Sequence, residues 1–136
     1  MIRAVMEGVM YRIKSVTDAL SQVGQEPVEM RASGGFARSV LWRQMMADVL
    51  GTDVSVPESI ESSGLGAAKL GLLALNEISE LSELDHWVNI GARHKAHQEE
   101  TKTYNELYPI YMNVYHQLKE PFSQISAYQR AAEKMT

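Results

Sequence analysis

Residues 28–57, VEMRASGGFARSVLWRQMMADVLGTDVSVP, contain two short apolar segments on either side of a helical pattern. Val28–Ser33 is predicted to be a strand that ends at a pair of glycines. A helix is expected over Ala37–Leu50, ended by Gly51 because glycine tolerates the conformation that follows many helices. Asp53–Val56 alternates polar and apolar residues and predicts a second strand. A strand, a helix and another strand in succession indicate parallel pairing with the helix as the crossover.

One helix is predicted before this unit and another after it. In the first helix, apolar side chains recur at spacings of three and four until Gly24, which is expected to end it. They are Ile2, Val5, Met6, Val9, Met10, Ile13, Val16, Leu20 and Val23. The third helix is rich in small residues and is expected to run from Ser62 through Ile78. The order is helix, strand, helix, strand, helix, and two strands are fewer than the roughly four to six of a stable open sheet.

The middle helix is expected to bury one face, and the last part of the chain differs in character. The inner face should comprise Val40, Leu41, Met45, Val49 and Leu50, with Trp42 and Met46 in core or interdomain packing. Residues 82–99 are polar and are predicted to be an irregular loop. An aromatic helical stripe follows, in which Pro109 is expected to kink the helix or start a new turn. Its members are Tyr104, Leu107, Tyr108, Tyr111, Met112, Tyr115 and Leu118. A last short helix is expected to open at Glu120–Pro121.

Composition limits the classes of function. The 136 residues are 45% hydrophobic and 22% charged, which is typical of a globular domain. A net charge of −4 without a basic block argues against a nucleic-acid partner. The sequence contains no cysteine, so disulfides, thiolate nucleophiles and cysteine-ligated zinc are excluded. No apolar run approaches the roughly 20 residues of a membrane span, and the first residues do not form a signal peptide. A soluble cytoplasmic protein without a membrane partner is expected.

The segment Ser33–Ser39 carries the clearest sign of a ligand site. Gly34 and Gly35 lie between a strand and a helix, where glycine allows a sharp turn and a close approach of a ligand to the backbone. The next helix would offer free N–H groups and the positive end of its dipole, with Arg38 and Ser39 in its first turn. The segment is neither a Walker A loop nor a complete dinucleotide fingerprint. The residues alone therefore leave two interpretations open, a nucleotide site and a purely structural turn.

Two further segments extend this pattern into a family resemblance. Ser33–Ser39 and Leu41–Asp48 together resemble the adenine-nucleotide loop and following helix of the FGGY carbohydrate kinases, most closely the gluconate kinases. The other matching segments are Arg3–Gly8, Val54–Glu58, Glu61–Ala68 and the Tyr104–Tyr115 stripe, so the resemblance covers essentially the whole chain. It implies an α/β fold, namely an incomplete ribonuclease-H-like domain of the actin-like ATPase type. Residues 1–81 would hold its core elements, and residues 82–136 a loop and a C-terminal helical segment.

The resemblance also implies a function and a set of site residues. The intact protein would be an ATP- and Mg²⁺-dependent phosphotransferase acting on a hydroxyl of a sugar or sugar acid, with gluconate the expected acceptor. Gly34, Gly35, Phe36, Arg38 and Ser39 would bind the nucleotide, with Gly35 against the adenosine. Ser39 would contact the base region, although some relatives carry asparagine there. The family's catalytic aspartate and most sugar, Mg²⁺ and phosphate contacts would lie outside this chain, which is expected to have no kinase activity alone.

Several other features have competing explanations. His86, His94 and His97 suggest a metal site, but zinc usually needs three or four convergent ligands, so no metal is expected and solvated histidines are the default. The tyrosine stripe is expected to be a packing face rather than a platform for stacking bases. An alternative to the kinase interpretation is that the chain is a free-standing, non-catalytic module that binds a nucleotide or a partner. Finally, the Val28–Ser33 edge and the first helix are expected to drive self-association.

Overall fold

The computed structural model describes residues 1–24, 29–59 and 61–133. The first helix, strand and middle helix are α1 (Ile2–Val23), β1 (Met30–Arg31) and α2 (Val40–Leu50), with a 3₁₀ helix at Gly35–Arg38. They are followed by β2 (Val54–Pro57), α3 (Ser62–Ala74), a 3₁₀ helix at Leu81–Trp87, β3 (Ile90–His94), α4 (Gln98–Gln117) and α5 (Lys119–Glu133). The predicted order of the first five elements is confirmed. β1 is shorter than predicted, and Val28 lies outside the described residues.

The sheet has the order β1–β2–β3. β1 pairs in parallel with β2, Met30 opposite Val54, as the crossover argument predicts. β3 pairs antiparallel with β2, Ser55 opposite Arg93. The prediction that residues 82–99 form only an irregular loop is therefore wrong, and the described part of the chain has three strands rather than two. The strand was missed because it is short and contains Gly91, so its pairing with β2 rather than local propensity forms it.

The core lies between α1, α2, α4 and the sheet. α1 contributes Met6, Met10 and Tyr11, and Ile13 is partly buried against this core. The other members of its apolar stripe are exposed: Ile2, Val5, Val9, Val16, Leu20 and Val23. In α2 the buried residues are Met45–Val49, including Asp48, and Trp42 packs against the edge of the core. The predicted inner face of α2 is partly wrong, because Val40 and Leu41 are 62% and 56% exposed. Both lie in the first turn of α2, where the described residues leave their side chains largely uncovered.

α4 places its tyrosines against α1. The rings of Tyr104, Tyr108 and Tyr111 lie with centroids 6.0, 5.7 and 5.1 Å from that of Tyr11. This confirms the predicted packing face. α4 does not restart at Pro109, which lies inside the helix. α5 begins at Lys119, one residue before the predicted start. Within the described ranges, no helix is long and apolar enough to cross a membrane.

Candidate nucleotide-binding loop

The chain turns from β1 into α2 through the Gly-Gly segment. Gly34 has φ 86° and ψ −171°, a conformation that side-chain-bearing residues rarely adopt. The N–H of Ala37 donates to the Gly34 carbonyl at 3.0 Å, and the N–H of Ser39 donates to the Phe36 carbonyl at 3.1 Å. These bonds form the 3₁₀ helix, and α2 begins directly after it. Gly34 is thus required by the turn itself, whether or not a ligand binds.

Both glycines present bare backbone to open space. A Cβ atom at Gly34 or at Gly35 would meet no other heavy atom within 4 Å, and both residues are exposed. Ser39 is the N-cap of α2, but its side chain makes no capping hydrogen bond. The free N–H groups at this helix end and the Ser39 hydroxyl are therefore available to an outside acceptor. Of the two glycines, Gly35 is the one whose lack of a side chain the turn alone does not explain.

The remaining loop residues differ in how firmly they are held. Ala37 is buried in the core and anchors the segment, while Phe36 packs against Trp42 with a centroid distance of 6.4 Å. Arg38 is exposed, and its Nη2 lies 3.4 Å from Oε1 of Glu61, the N-cap residue of α3. Both side chains of this pair are more than 70% exposed, so the pair is weak and leaves Arg38 free to contact a ligand.

Two clefts flank the loop. The first, about 340 Å³, lies where β1 and β2 end and α3 begins. It is lined by Ser33, Pro57, Glu58, Ser62, Lys69 and seven other residues. Ligands of open α/β sheets bind outside the carboxyl ends of the strands, which is where this cleft lies. The second, about 370 Å³, includes Ala37 and Arg38. Gly34 and Gly35 line neither cleft and lie on the open surface between them.

The histidines belong to a separate polar cluster around Gln44 and Asp48. Nδ1 of His94 lies 3.2 Å from Oε1 of Gln44, and Nδ1 of His97 lies 3.2 Å from Oδ1 of Asp48. Burial, followed by the Arg43 guanidinium, lowers the pKa of His94. His86 instead contacts the carbonyl oxygen of Glu83 at 2.9 Å. Across the described ranges, no group of three or more His, Cys, Asp or Glu side chains could hold a metal ion.

Sequence reasoning missed this cluster, although one signal was available. Asp48 lies between Ala47 and Val49 on the buried side of α2. A carboxylate in such a position needs hydrogen-bond partners, and the sequence around it places none on α2 except Gln44. The partners His94 and His97 come from the segment that was predicted to be a loop, so their meeting with Asp48 depended on the unforeseen strand β3.

Known proteins resemble the chain in sequence over most of its length. Residues 1–75, more than half of the chain, match the model of the C-terminal domain of the FGGY family of carbohydrate kinases. A gluconokinase of Bacillus licheniformis is 43% identical over 132 residues, which is 96% of this chain and 26% of that protein. The chain therefore spans about a quarter of the length of this relative.

Solved structures resemble the chain over most of its length. A gluconate kinase from Lactobacillus acidophilus has a TM-score of 0.76 and 28% identity, covering 85% of this chain and 24% of that one. A ligand-bound xylulose kinase from the same organism has a TM-score of 0.75 and 27% identity, covering 90% and 25%. The α/β fold is accordingly the actin-like, ribonuclease-H-like fold of these kinases' C-terminal domains. From the strand–glycine–helix loop, the sheet and these matches together, we conclude that the chain belongs to the FGGY family of carbohydrate kinases.

Proposed function

We propose that this chain supplies part of the ATP site of a carbohydrate kinase whose acceptor is gluconate. The gluconokinase of Bacillus licheniformis matches 96% of the chain, which favours a sugar acid over the pentulose of the xylulose kinase. The reaction would transfer the γ-phosphate of ATP to a hydroxyl of the acceptor. The protein would act in the cytoplasm, where ATP and sugar acids are both present.

The observation that carries this proposal is the open backbone at Gly35. The residue precedes the N-terminus of α2, and nothing in the described chain occupies the space where its side chain would stand. Adenosine can lie against such a surface without meeting a Cβ atom. Gly34 would form the turn, Phe36 would support the loop through Trp42, and Ser39 would offer its hydroxyl to the base region. Arg38 would contribute a positive charge next to an anionic ligand.

The chain contributes binding groups rather than catalytic ones in this proposal. Phosphoryl transfer depends on positioning the two substrates in line and stabilising charge with Mg²⁺. The family resemblance implies that Mg²⁺ would be held by the ATP phosphates and by residues outside this chain. We therefore assign no catalytic residue here, and the acceptor hydroxyl would be activated by a base elsewhere in the kinase.

A single substitution separates the nucleotide role of the loop from a structural one. Gly35→Val adds a branched side chain that meets no atom of the chain, so the variant should fold normally. It should nevertheless weaken ATP binding about 5- to 150-fold, because overpacking against a ligand typically costs about 1–3 kcal/mol. Equilibrium dialysis with labelled ATP measures this directly. Gly8→Val is the matched control, since Gly8 also has open space around it but lies in α1, away from the loop. Unchanged ATP affinity in a folded Gly35→Val variant would remove the loop from the nucleotide site.

The 136-residue chain alone should show no kinase activity. An assay coupled to ADP release, with gluconate, xylulose, glycerol and ribulose as acceptors, should give only background rates. The physical reason is that a nucleotide loop without an acceptor pocket and a catalytic base cannot align the reacting groups. Gluconate-dependent turnover by the purified chain would refute this part of the proposal.

A further inference from the structure

Arg43 lies one turn into α2, and the Nε atom of its guanidinium group has no hydrogen-bond partner within the described residues. The residue is partly buried, and this Nε atom is itself buried. By contrast, Arg3, Arg31 and Arg38 each lie within 3.4 Å of a carboxylate oxygen. Burying a charged donor without an acceptor is unfavourable, more so than for a neutral group. The position of Arg43 is therefore best explained by an acceptor that is not part of the described chain.

The placement of Arg43 directs it to the nucleotide loop. The backbone N–H of Arg43 donates to the backbone carbonyl of Ser39 at 3.1 Å. The two residues are four apart and therefore lie on the same side of α2. Arg43 also lines the second cleft, of about 370 Å³, together with Ala37 and Arg38 of the loop. A ligand that lies along the loop and enters this cleft would meet both arginines.

The charges around the cleft favour an anion. The residues that line it include two arginines, Arg38 and Arg43, and one acidic residue, Glu58. Glu58 lies over Gly91 of β3, where an added Cβ would stand 2.9 Å from Glu58 Cγ. Across the described residues, Glu58 makes no ion pair with Arg43, so it does not neutralise that group. His94, on β3, is the other titratable group near Arg43, and Arg43 helps to lower its pKa. Two cations therefore face one anion in a cleft beside the loop.

We propose that Arg43 binds a phosphate group of the nucleotide held by the Gly34–Ser39 loop. The planar guanidinium fork can donate two parallel hydrogen bonds to phosphate oxygens, which a lysine ammonium cannot reproduce. This inference rests on the proposed function, because it assigns a further contact of the same nucleotide. It assigns no step in catalysis to Arg43, which acts by binding alone.

The test compares ATP with adenosine on the wild-type chain and on two variants. Equilibrium dialysis with labelled ATP and labelled adenosine tolerates self-association of the protein. Arg43→Met keeps the length of the side chain and removes its charge, whereas Arg43→Lys keeps the charge and removes the fork. We expect Arg43→Met to weaken ATP binding about tenfold or more, the size of a lost charge-assisted hydrogen bond, and to leave adenosine binding unchanged. Arg43→Lys should fall between the wild type and Arg43→Met. Circular dichroism confirms that each variant is folded.

The outcomes separate this inference from the proposed function. If folded Arg43→Met binds ATP as tightly as the wild type does, the assignment of Arg43 to a phosphate is wrong. If the sedimentation of that variant also differs from that of the wild type, the acceptor of Arg43 is a carboxylate of another polypeptide. Equal losses for ATP and adenosine would also overturn the assignment, since the contact would then not be to phosphate. In both cases a weakened Gly35→Val variant would leave the loop as the nucleotide site. If the wild-type chain binds neither ligand, both proposals are wrong.

Discussion

The backbone N–H of His97 donates a hydrogen bond of 2.9 Å to Oδ1 of Asp48, which joins the start of α4 to the last turn of α2. His97 is the N-cap residue of α4, and the Asp48 side chain is only 8% exposed. The same oxygen accepts a bond of 3.0 Å from Nε2 of Gln44, which also donates to the Lys95 carbonyl at 2.8 Å. Asp48 thus fixes the corner between β3 and α4 against the helix that follows the Gly34–Ser39 loop.

Asp48→Ala should strongly destabilise the chain. The substitution removes the hydrogen bonds that the His97 N–H and the Gln44 amide donate to a buried carboxylate, and a hydrogen bond to a charged group contributes about 1.5–3 kcal/mol. Asp48→Asn retains an oxygen of the same geometry and should cost less, about 1 kcal/mol. Urea unfolding followed by circular dichroism measures both. Equal losses for the two variants would show that the carboxylate charge, rather than the hydrogen bonds, stabilises this corner.

Gly51→Ala should destabilise the junction of α2 and α4 for two separable reasons. Gly51 ends α2 with φ 67°, and an added Cβ would lie 2.9 Å from Cγ2 of Thr101 on α4. The left-handed backbone alone costs a residue with a side chain about 1–2 kcal/mol. Thr101→Ser removes the Cγ2 atom, so in the double variant only the backbone cost should remain. Additive effects of the two substitutions in thermal unfolding would contradict the predicted steric contact.

Tyr11→Phe should reduce the loss of stability at alkaline pH. Burial, followed by the charges of Glu7 and Tyr104, raises the pKa of Tyr11 from 10.0 to about 12. The folded state therefore holds this proton more tightly than the unfolded state. This contribution to stability is complete below pH 10 and is lost as the pH rises towards about 12. Two pKa units correspond to an upper limit of about 2–3 kcal/mol.

The measurement is the unfolding free energy from urea titrations at pH 8, 10 and 11.5, for the wild type and Tyr11→Phe. At pH 8 the variant should be as stable as the wild type or slightly more stable, because the Tyr11 hydroxyl is buried without an acceptor in the described part of the chain. Tyr128→Phe is the control, since Tyr128 is 79% exposed on α5. If the unfolding free energy of Tyr11→Phe depends on pH as that of the wild type does, this tyrosine does not govern the alkaline loss of stability.

The isolated chain should self-associate through α1 and the edge of β1. Ile2, Val5, Leu20 and Val23 are 63–84% exposed along one helix. Within the described residues, β1 pairs only with β2, so its other edge is open to another strand. A few hundred Å² of exposed apolar surface corresponds to several kcal/mol in favour of association, at about 25 cal/mol per Å².

Sedimentation equilibrium at micromolar concentration tests this expectation. Val5→Lys and Leu20→Lys should each shift the chain towards monomer, whereas Val114→Lys, at a position 49% exposed on α4, should not. A monodisperse wild-type monomer with a cooperative thermal transition would show that the chain closes its own core. Association that Val114→Lys weakens as much as Val5→Lys would place the interface on another surface.

The sequence by itself determined the features that depend on neighbouring residues. Helical periodicity predicted α1 and its end near Gly24, and the two glycines predicted the turn that Gly34 makes at φ 86°. The alternation at Asp53–Val56 predicted β2, and the strand–helix–strand order predicted the parallel pairing of β1 with β2. These predictions succeeded because backbone conformation and the face that a side chain occupies follow from local sequence. The family resemblance was determined in the same way, from contiguous segments.

Only the tertiary structure decided what depends on distant residues. β3 exists because β2 offers it an edge and Gly91 makes room for Glu58, neither of which its own residues reveal. Six of the nine residues of the α1 stripe are exposed because no described element covers them, so periodicity identified an apolar face but not its partner. The unsatisfied Nε of Arg43 was likewise invisible in the sequence, where Arg43 is one more charged residue on a helix. Burial and hydrogen-bond satisfaction are properties of the assembled fold, and a single segment does not contain them.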